Sequence, residues 1–210
     1  MTKTKIDLSR WNRREHYEFF NKFEEPFFGL TTELDCSKAY KKAKKEGYSF
    51  YVYYLYQSLK AANEVENFRY RIIDEDVWLF DEIHASTIAM REDGTFGFTF
   101  IRYSESFDQF HQDALAERDA VMQSTGLRIT ENSSRIDVMH YSVLPWIKFS
   151  GLSHARIFSR VDSMQKLTFG KIYNIDGSMM LPFSVHQHHA LADGKHVGDY
   201  LVRFQELLNQ

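Results

Sequence analysis

The chain has 210 residues, 43% hydrophobic and 16% aromatic, with a formal net charge of −3. That composition is far from a disordered one, and the slight acidity argues against nucleic acid as a partner. Cys36 is the single cysteine, so no intrachain disulfide is possible. With no apolar leader and no membrane-length run, the sequence predicts one domain over 1–210, soluble in a reducing cytoplasm.

Taken in chain order, Trp11, Phe19, Phe20 and Phe23 among charges predict a helix over 11–23. Residues 37–45 and 50–64 also read as helices; Lys38 to Lys45 is the polar face of the first. From 68 to 103 the period shortens. Phe68–Ile72, Val77–Phe80, Ser86–Met90 and Phe96–Tyr103 read as strands, with turns at Asp74-Glu75-Asp76 and Glu92-Asp93-Gly94. Residues 106–124 predict an amphipathic helix. Val138–Val143 predicts a strand closed by Leu144-Pro145-Trp146. Thr168–Tyr173 and Met179–Val185 read as paired strands around Asn174-Ile175-Asp176-Gly177. Val197, Leu201, Phe204 and Leu208 predict a final helix, started by Asp193. The class this implies is a two-layer α/β sandwich, a large mixed sheet covered by helices.

The chemistry concentrates after the last strand. His186, Gln187, His188 and His189 follow one another, then Asp193-Gly194. Alternation puts His186 and His188 on one face and His189 on the other. A zinc site needs three or four converging ligands. His186 and His188 supply two, and no Cys or HExxH pattern adds more, so no metal is expected. A histidine near pKa 6.5 can instead accept a proton from an alcohol. Asp193 then either orients that base or serves the turn alone; once buried, it needs a cationic partner.

The segment His188-His189-Ala190-Leu191-Ala192-Asp193-Gly194 resembles the signature of chloramphenicol acetyltransferases of the trimeric, acetyl-CoA-dependent class. Leu181-Pro182-Phe183-Ser184-Val185 before it and His196-Val197-Gly198 after it belong to the likeness. So do Trp11-Asn12-Arg13-Arg14-Glu15-His16-Tyr17-Glu18-Phe19, Phe50-Tyr51, Phe68-Arg69, Ser142-Val143-Leu144-Pro145-Trp146 and Thr168-Phe169-Gly170-Lys171, in order and with similar spacing. The resemblance implies a CoA-dependent acyltransferase fold and a cytoplasmic homotrimer with interfacial active sites. It implies acetyl transfer from acetyl-CoA to a hydroxyl of chloramphenicol, which would inactivate the antibiotic, by direct attack in a ternary complex. His189 would be the general base. Ser142 would donate to the oxyanion and Thr168 would assist through water. Asp193 would pair with Arg13 to lock the turn. Tyr51, Trp146 and Lys171 would meet the coenzyme; Phe20, Phe28, Phe96, Leu152 and His154 would meet the acceptor.

The chain also departs from that pattern. Across Phe149-Ser150-Gly151-Leu152-Ser153-His154-Ala155-Arg156, an ungapped reading sets His154 and Arg156 at two positions that are apolar in drug-modifying members. Ile172 separates Lys171 from Tyr173, Pro26 replaces a small or sulfur-bearing residue, and Val52 replaces a proline. An apolar acceptor gains from apolar burial at roughly 25 cal/mol per Å², and unpartnered polar groups oppose it. The resemblance implies chloramphenicol as the expected acceptor, with a more polar hydroxyl compound as the alternative if His154 and Arg156 face the pocket. Two other readings compete. A dihydrolipoyl acyltransferase core would carry Asp-His-Arg where this chain has His188-His189-Ala190. A non-catalytic drug- or CoA-binding homologue would have no need of His189 or Ser142.

Overall fold

Elements follow the hydrophobic period closely where it is long. In the computed structural model, which describes residues 2–157 and 162–210, the order is β1 (Lys3–Lys5), α1 (Arg14–Phe20), β2 (Phe27–Asp35), α2 (Ser37–Glu46), α3 (Phe50–Glu64), α4 (Glu66–Arg69), β3 (Tyr70–Ile73), β4 (Asp76–Phe80), β5 (His84–Met90) and β6 (Phe96–Ile101). Then come α5 (Phe107–Met122), a 3-10 turn at Glu131–Ser134, β7 (Val138–Val143), β8 (Lys166–Phe169), β9 (Tyr173–Ile175), β10 (Ser178–His188) and α6 (Gly194–Leu208).

One large mixed sheet runs β2-β10-β8-β7-β5-β6, with β9 on the edge of β10. The β5–β7 and β7–β8 pairs are parallel; β2–β10, β10–β8 and β5–β6 are antiparallel. A small antiparallel sheet, β1-β4-β3, stands apart. Strand alternation gives the large sheet two unlike faces. Met139, Tyr141, Leu167, Phe169, Phe183 and Val185 point inward and are buried under Leu55, Leu59, Phe110 and Phe204 of the helices. Each such side chain contributes on the order of 1.5–3 kcal/mol. A polar knot there is satisfied: Ser58 Oγ meets the Tyr200 hydroxyl at 2.6 Å and that of Tyr141 at 3.1 Å. The residues between them, His140, Ser142, Lys166, Thr168, Ser184 and His186, take the opposite face, away from the helices. Among the described residues no helix is long and apolar enough to cross a membrane.

Where the elements differ from expectation, pairing explains it. The first helix is shorter than 11–23, because Trp11, Asn12 and Arg13 form a turn that aims Arg13 at the C-terminal part of the chain. Phe68 and Arg69 end the short helix α4, with the Phe68 N–H on the Val65 carbonyl at 3.0 Å, so the strand begins at Tyr70. The run 168–173 splits. Pro182 has no N–H to extend the ladder, and Gly170 and Lys171 instead donate to Pro182 and Ile147 at 2.8 Å each. A Cβ on Gly170 would stand 2.9 Å from Pro182 Cβ. β2 was not anticipated, although it pairs with β10 over nine positions from Phe27 to Asp35. That pairing carries β10 beyond Val185 to His188.

Candidate active site

His189 sits in a turn that its neighbours hold firmly. Ala190, Leu191 and Ala192 are fully buried. The N–H groups of Leu191 and Ala192 donate to the His188 carbonyl at 3.0 and 3.2 Å, and the His189 N–H to Pro26 at 2.8 Å. Asn67 donates to the Leu191 carbonyl at 2.8 Å. The guanidinium of Arg13 closes the arrangement, donating to Asp193 Oδ2 at 2.8 Å and to the His189 carbonyl at 3.3 Å. Asp193 does two things at once. It caps α6, accepting from the Lys195 N–H at 3.0 Å while its own N–H donates to His196 Nδ1 at 3.2 Å. Burial alone would raise its carboxyl, but Arg13 and His196 outweigh that and hold it below the ordinary carboxylate value.

The imidazole of His189 is positioned by rings. Phe20 stacks on it at 3.8 Å and 5°, and Phe28 lies tilted at 4.7 Å. Its Nδ1 is buried and has no hydrogen-bond partner among the described residues. Beside this pair, Phe19 and Phe23 are 60% and 45% exposed, an apolar patch in contact with Phe20. His186 and His188 share the other face of β10, as alternation predicts, but they meet different neighbours. His188 packs edge-on to Phe27 at 5.2 Å, and His186 to His154 at 4.9 Å. Among the described residues no three His, Cys, Asp or Glu side chains converge as metal ligands.

Ser142 and Thr168 face each other in register on the parallel strands β7 and β8, and Ser184 follows Thr168 on β10. They form a row of hydroxyls across the uncovered face. His189 is not part of it. From Ser184 the strand runs four residues further to His188, which is about 13 Å at the usual rise. A general base and an oxyanion donor must both reach one reacting centre at about 3 Å.

The row borders a cleft of about 190 Å³ whose walls include Ser86, Phe98, His140, Ser142, His154 and Lys166. His154 arrives on the segment that crosses the sheet after Trp146. Its Nε2 lies 3.4 Å from Thr168 Oγ1. Arg156 does not line the cleft: it stacks over Phe27 at 3.9 Å and pairs with Glu25. Burial, reinforced by His186, pushes the His154 imidazole down to about 4; burial with Lys166 does the same to His140. Burial also lowers His186 and Lys166, and Lys166 pairs with Asp162.

The remaining expected site residues fall into place by element. Trp146, 62% exposed, and Lys171 lie near each other at one end of the sheet, tied by the Lys171 N–H to the Ile147 carbonyl at 2.8 Å. Tyr173 receives Lys148 over its ring at 3.8 Å. Tyr51 on α3 hydrogen-bonds Thr87 at 2.8 Å, and burial raises its phenol to about 12. Leu152 is half-buried beside His186. Phe96 opens β6 against Phe98 at 5.8 Å, far along the sheet from Phe20 and Phe28. Sequence reasoning overlooked His140 and Lys166. The signal was present: each stands two residues before Ser142 or Thr168 in a strand, hence on the same face.

A sequence model of the family described as chloramphenicol acetyltransferase matches residues 1–205. Chloramphenicol acetyltransferase 3 of Escherichia coli is 29% identical over 211 residues, covering 100% of this chain and 98% of that protein. A Campylobacter coli chloramphenicol acetyltransferase is 30% identical, covering 99% of each. A solved chloramphenicol acetyltransferase superposes with a TM-score of 0.92 at 30% identity, over 99% of this chain and 100% of that one. A probable dihydrolipoamide acetyltransferase of Listeria monocytogenes shares the fold at a TM-score of 0.67 and 13% identity, over 99% of this chain and 94% of that one.

Proposed function

The chain belongs to the chloramphenicol acetyltransferase family, and from that premise we propose that it moves an acetyl group from acetyl-CoA to a hydroxyl of a small acceptor by direct attack in a ternary complex. The observation that carries this reading is the clamped turn of His189. Its carbonyl is held by Arg13 and its ring by Phe20, which fixes the imidazole although the buried Nδ1 makes no hydrogen bond among the described residues. The other ring nitrogen, Nε2, takes the acceptor's proton as the hydroxyl oxygen attacks the thioester carbonyl. The C–O bond forms, the C–S bond breaks, and the proton passes to the leaving thiolate, giving CoA and an acetyl ester. Ser142 donates to the oxyanion and Thr168 assists through water. Trp146, Lys171 and Tyr51 serve the coenzyme.

The site is completed between copies of the chain, in a homotrimer. Two observations support this. His189 lies too far along β10 from the Ser142–Thr168 row to share a reacting centre with it. The exposed Phe19 and Phe23 beside His189 form a patch suited to burial against a neighbour. A cytoplasmic location belongs to the same reading, on the single buried cysteine. Chloramphenicol is the reference acceptor, since the relatives carry it in their names. His154 on the cleft wall favours a more polar hydroxyl compound.

The test is thiol release from acetyl-CoA, with chloramphenicol and other alcohols as acceptors, for the wild type and His189→Ala. The variant is expected to lose a factor of about 10²–10⁴ in rate while keeping its oligomer size and melting temperature. Retained acetyl-CoA binding with no thiol release in the wild type would instead identify a non-catalytic binder.

A further inference from the structure

The cleft beside Ser142 and Thr168 sets polar groups among the apolar walls of Ile88, Phe98 and Ala155, and those polar groups need partners in a bound acceptor. His140, His154 and Lys166 line it together with Ser86. His186 stands edge-on behind His154, and its Nδ1 and the Ser184 Oγ are both buried with no hydrogen-bond partner among the described residues. A second hollow of about 100 Å³ opens from the same face past Ser86, Phe98 and His140, and adds Arg128, Thr130 and Asn132. Polar groups thus continue beyond the reacting row.

The charges around this cleft are balanced. Lys166 pairs with Asp162, and Arg156 with Glu25. The three histidines are buried enough to be uncharged near neutral pH. A neutral imidazole offers one N–H donor and one bare nitrogen acceptor. The complement to such a surface is a neutral molecule whose groups each donate and accept, which is the character of a hydroxyl. Among the described residues an anionic acceptor would find no unbalanced cation here, and one that presents only apolar surface to these walls would strand the ring nitrogens.

We infer that the acceptor is a neutral polyhydroxylated compound, a sugar or polyol, and that His154 is the residue that selects it by hydrogen bonding next to Thr168. The inference rests on the acetyl-transfer reading for which hydroxyl row is reactive. The acetyl group would go to one hydroxyl while others engage His140 and His154.

The experiment measures thiol release with D-glucose, D-sorbitol, glucose 6-phosphate, gluconate and chloramphenicol, for the wild type, His154→Leu and His154→Gln. The expected order puts a neutral polyol first, with kcat/KM at least about tenfold above chloramphenicol. His154→Leu should lower polyol kcat/KM by about tenfold, the equivalent of one hydrogen bond, chiefly through KM. It should also improve chloramphenicol. His154→Gln, which still donates and accepts, should restore most of the loss. In parallel, saturation-transfer NMR on His189→Ala reads polyol binding without turnover. Polyol binding that His154→Leu removes supports the inference even if no acceptor turns over, and the catalytic reading alone then fails. Turnover of chloramphenicol or of the two anions ahead of every neutral polyol overturns the inference and leaves the catalytic reading intact. An unchanged polyol signal in His154→Leu, or none in His189→Ala, overturns it as well.

Discussion

Asp193→Asn separates the two things that Asp193 does. Asparagine is as good an N-cap as aspartate, so the start of α6 survives and only the charge facing Arg13 is lost. The Arg13 side chain is 8% exposed and that of Asp193 31%. Breaking a fully buried pair costs 3–5 kcal/mol, whereas exposed pairs contribute about 0–1 kcal/mol. A half-buried pair falls between, at about 2 kcal/mol. For a chain of this size that is a fall in melting temperature of about 4–8 °C. Arg13 would also hold the His189 carbonyl less firmly, so kcat should drop while KM for acetyl-CoA stays. Asp193→Ala, which removes the cap as well, should cost about 1 kcal/mol more. Urea unfolding of both variants, with initial rates of thiol release, measures all of this. A loss in Asp193→Asn below about 0.5 kcal/mol, the range of ordinary surface changes, would refute the claim that the pair locks the turn.

Three further outcomes follow from the same geometry. Ser142→Ala should lower turnover by about 10²–10³ with little change in the KM for acetyl-CoA; steady-state kinetics showing a pure KM effect would remove Ser142 from oxyanion stabilisation. Gly29→Ala should be destabilising by about 1–3 kcal/mol, since a Cβ there would stand 2.3 Å from His186 Cδ2 and force that ring off His154; a neutral variant in urea unfolding would contradict the packing described. Stability should also depend on pH. His140, His154 and His188, each pushed down to about 4 by burial, stay neutral in the fold but protonate near 6.5 once unfolded. Their contribution is therefore complete above about 6.5 and lost as pH falls toward about 4. Melting temperatures across that window should decline, and less steeply in His154→Leu.

Much of this protein was legible along the chain because short-range patterns are physical constraints on neighbours. The period of 3.6 residues marked α3, α5 and α6 to within about two residues at their ends, and Asp193 announced itself as the cap of α6. The ordered blocks ending in His188-His189 identified the family, which the match over residues 1–205 bears out. Pairing was less accessible. β2 was missed because a mixed strand such as Phe27–Asp35 gains its stability from β10, some 150 residues away, and not from its own propensity. The split at Gly170 depended on Pro182 across the sheet. His154 could be flagged as a polar substitution, but only the crossing of its segment over β8 and β10 brought it to Thr168 and His186. The distance of His189 from Ser142 likewise came from strand register. Sequence speaks through periods and caps because they act between residues a few positions apart; the walls of a cleft and the separation of its reacting groups arise from register and crossing, which distant parts of the chain settle together.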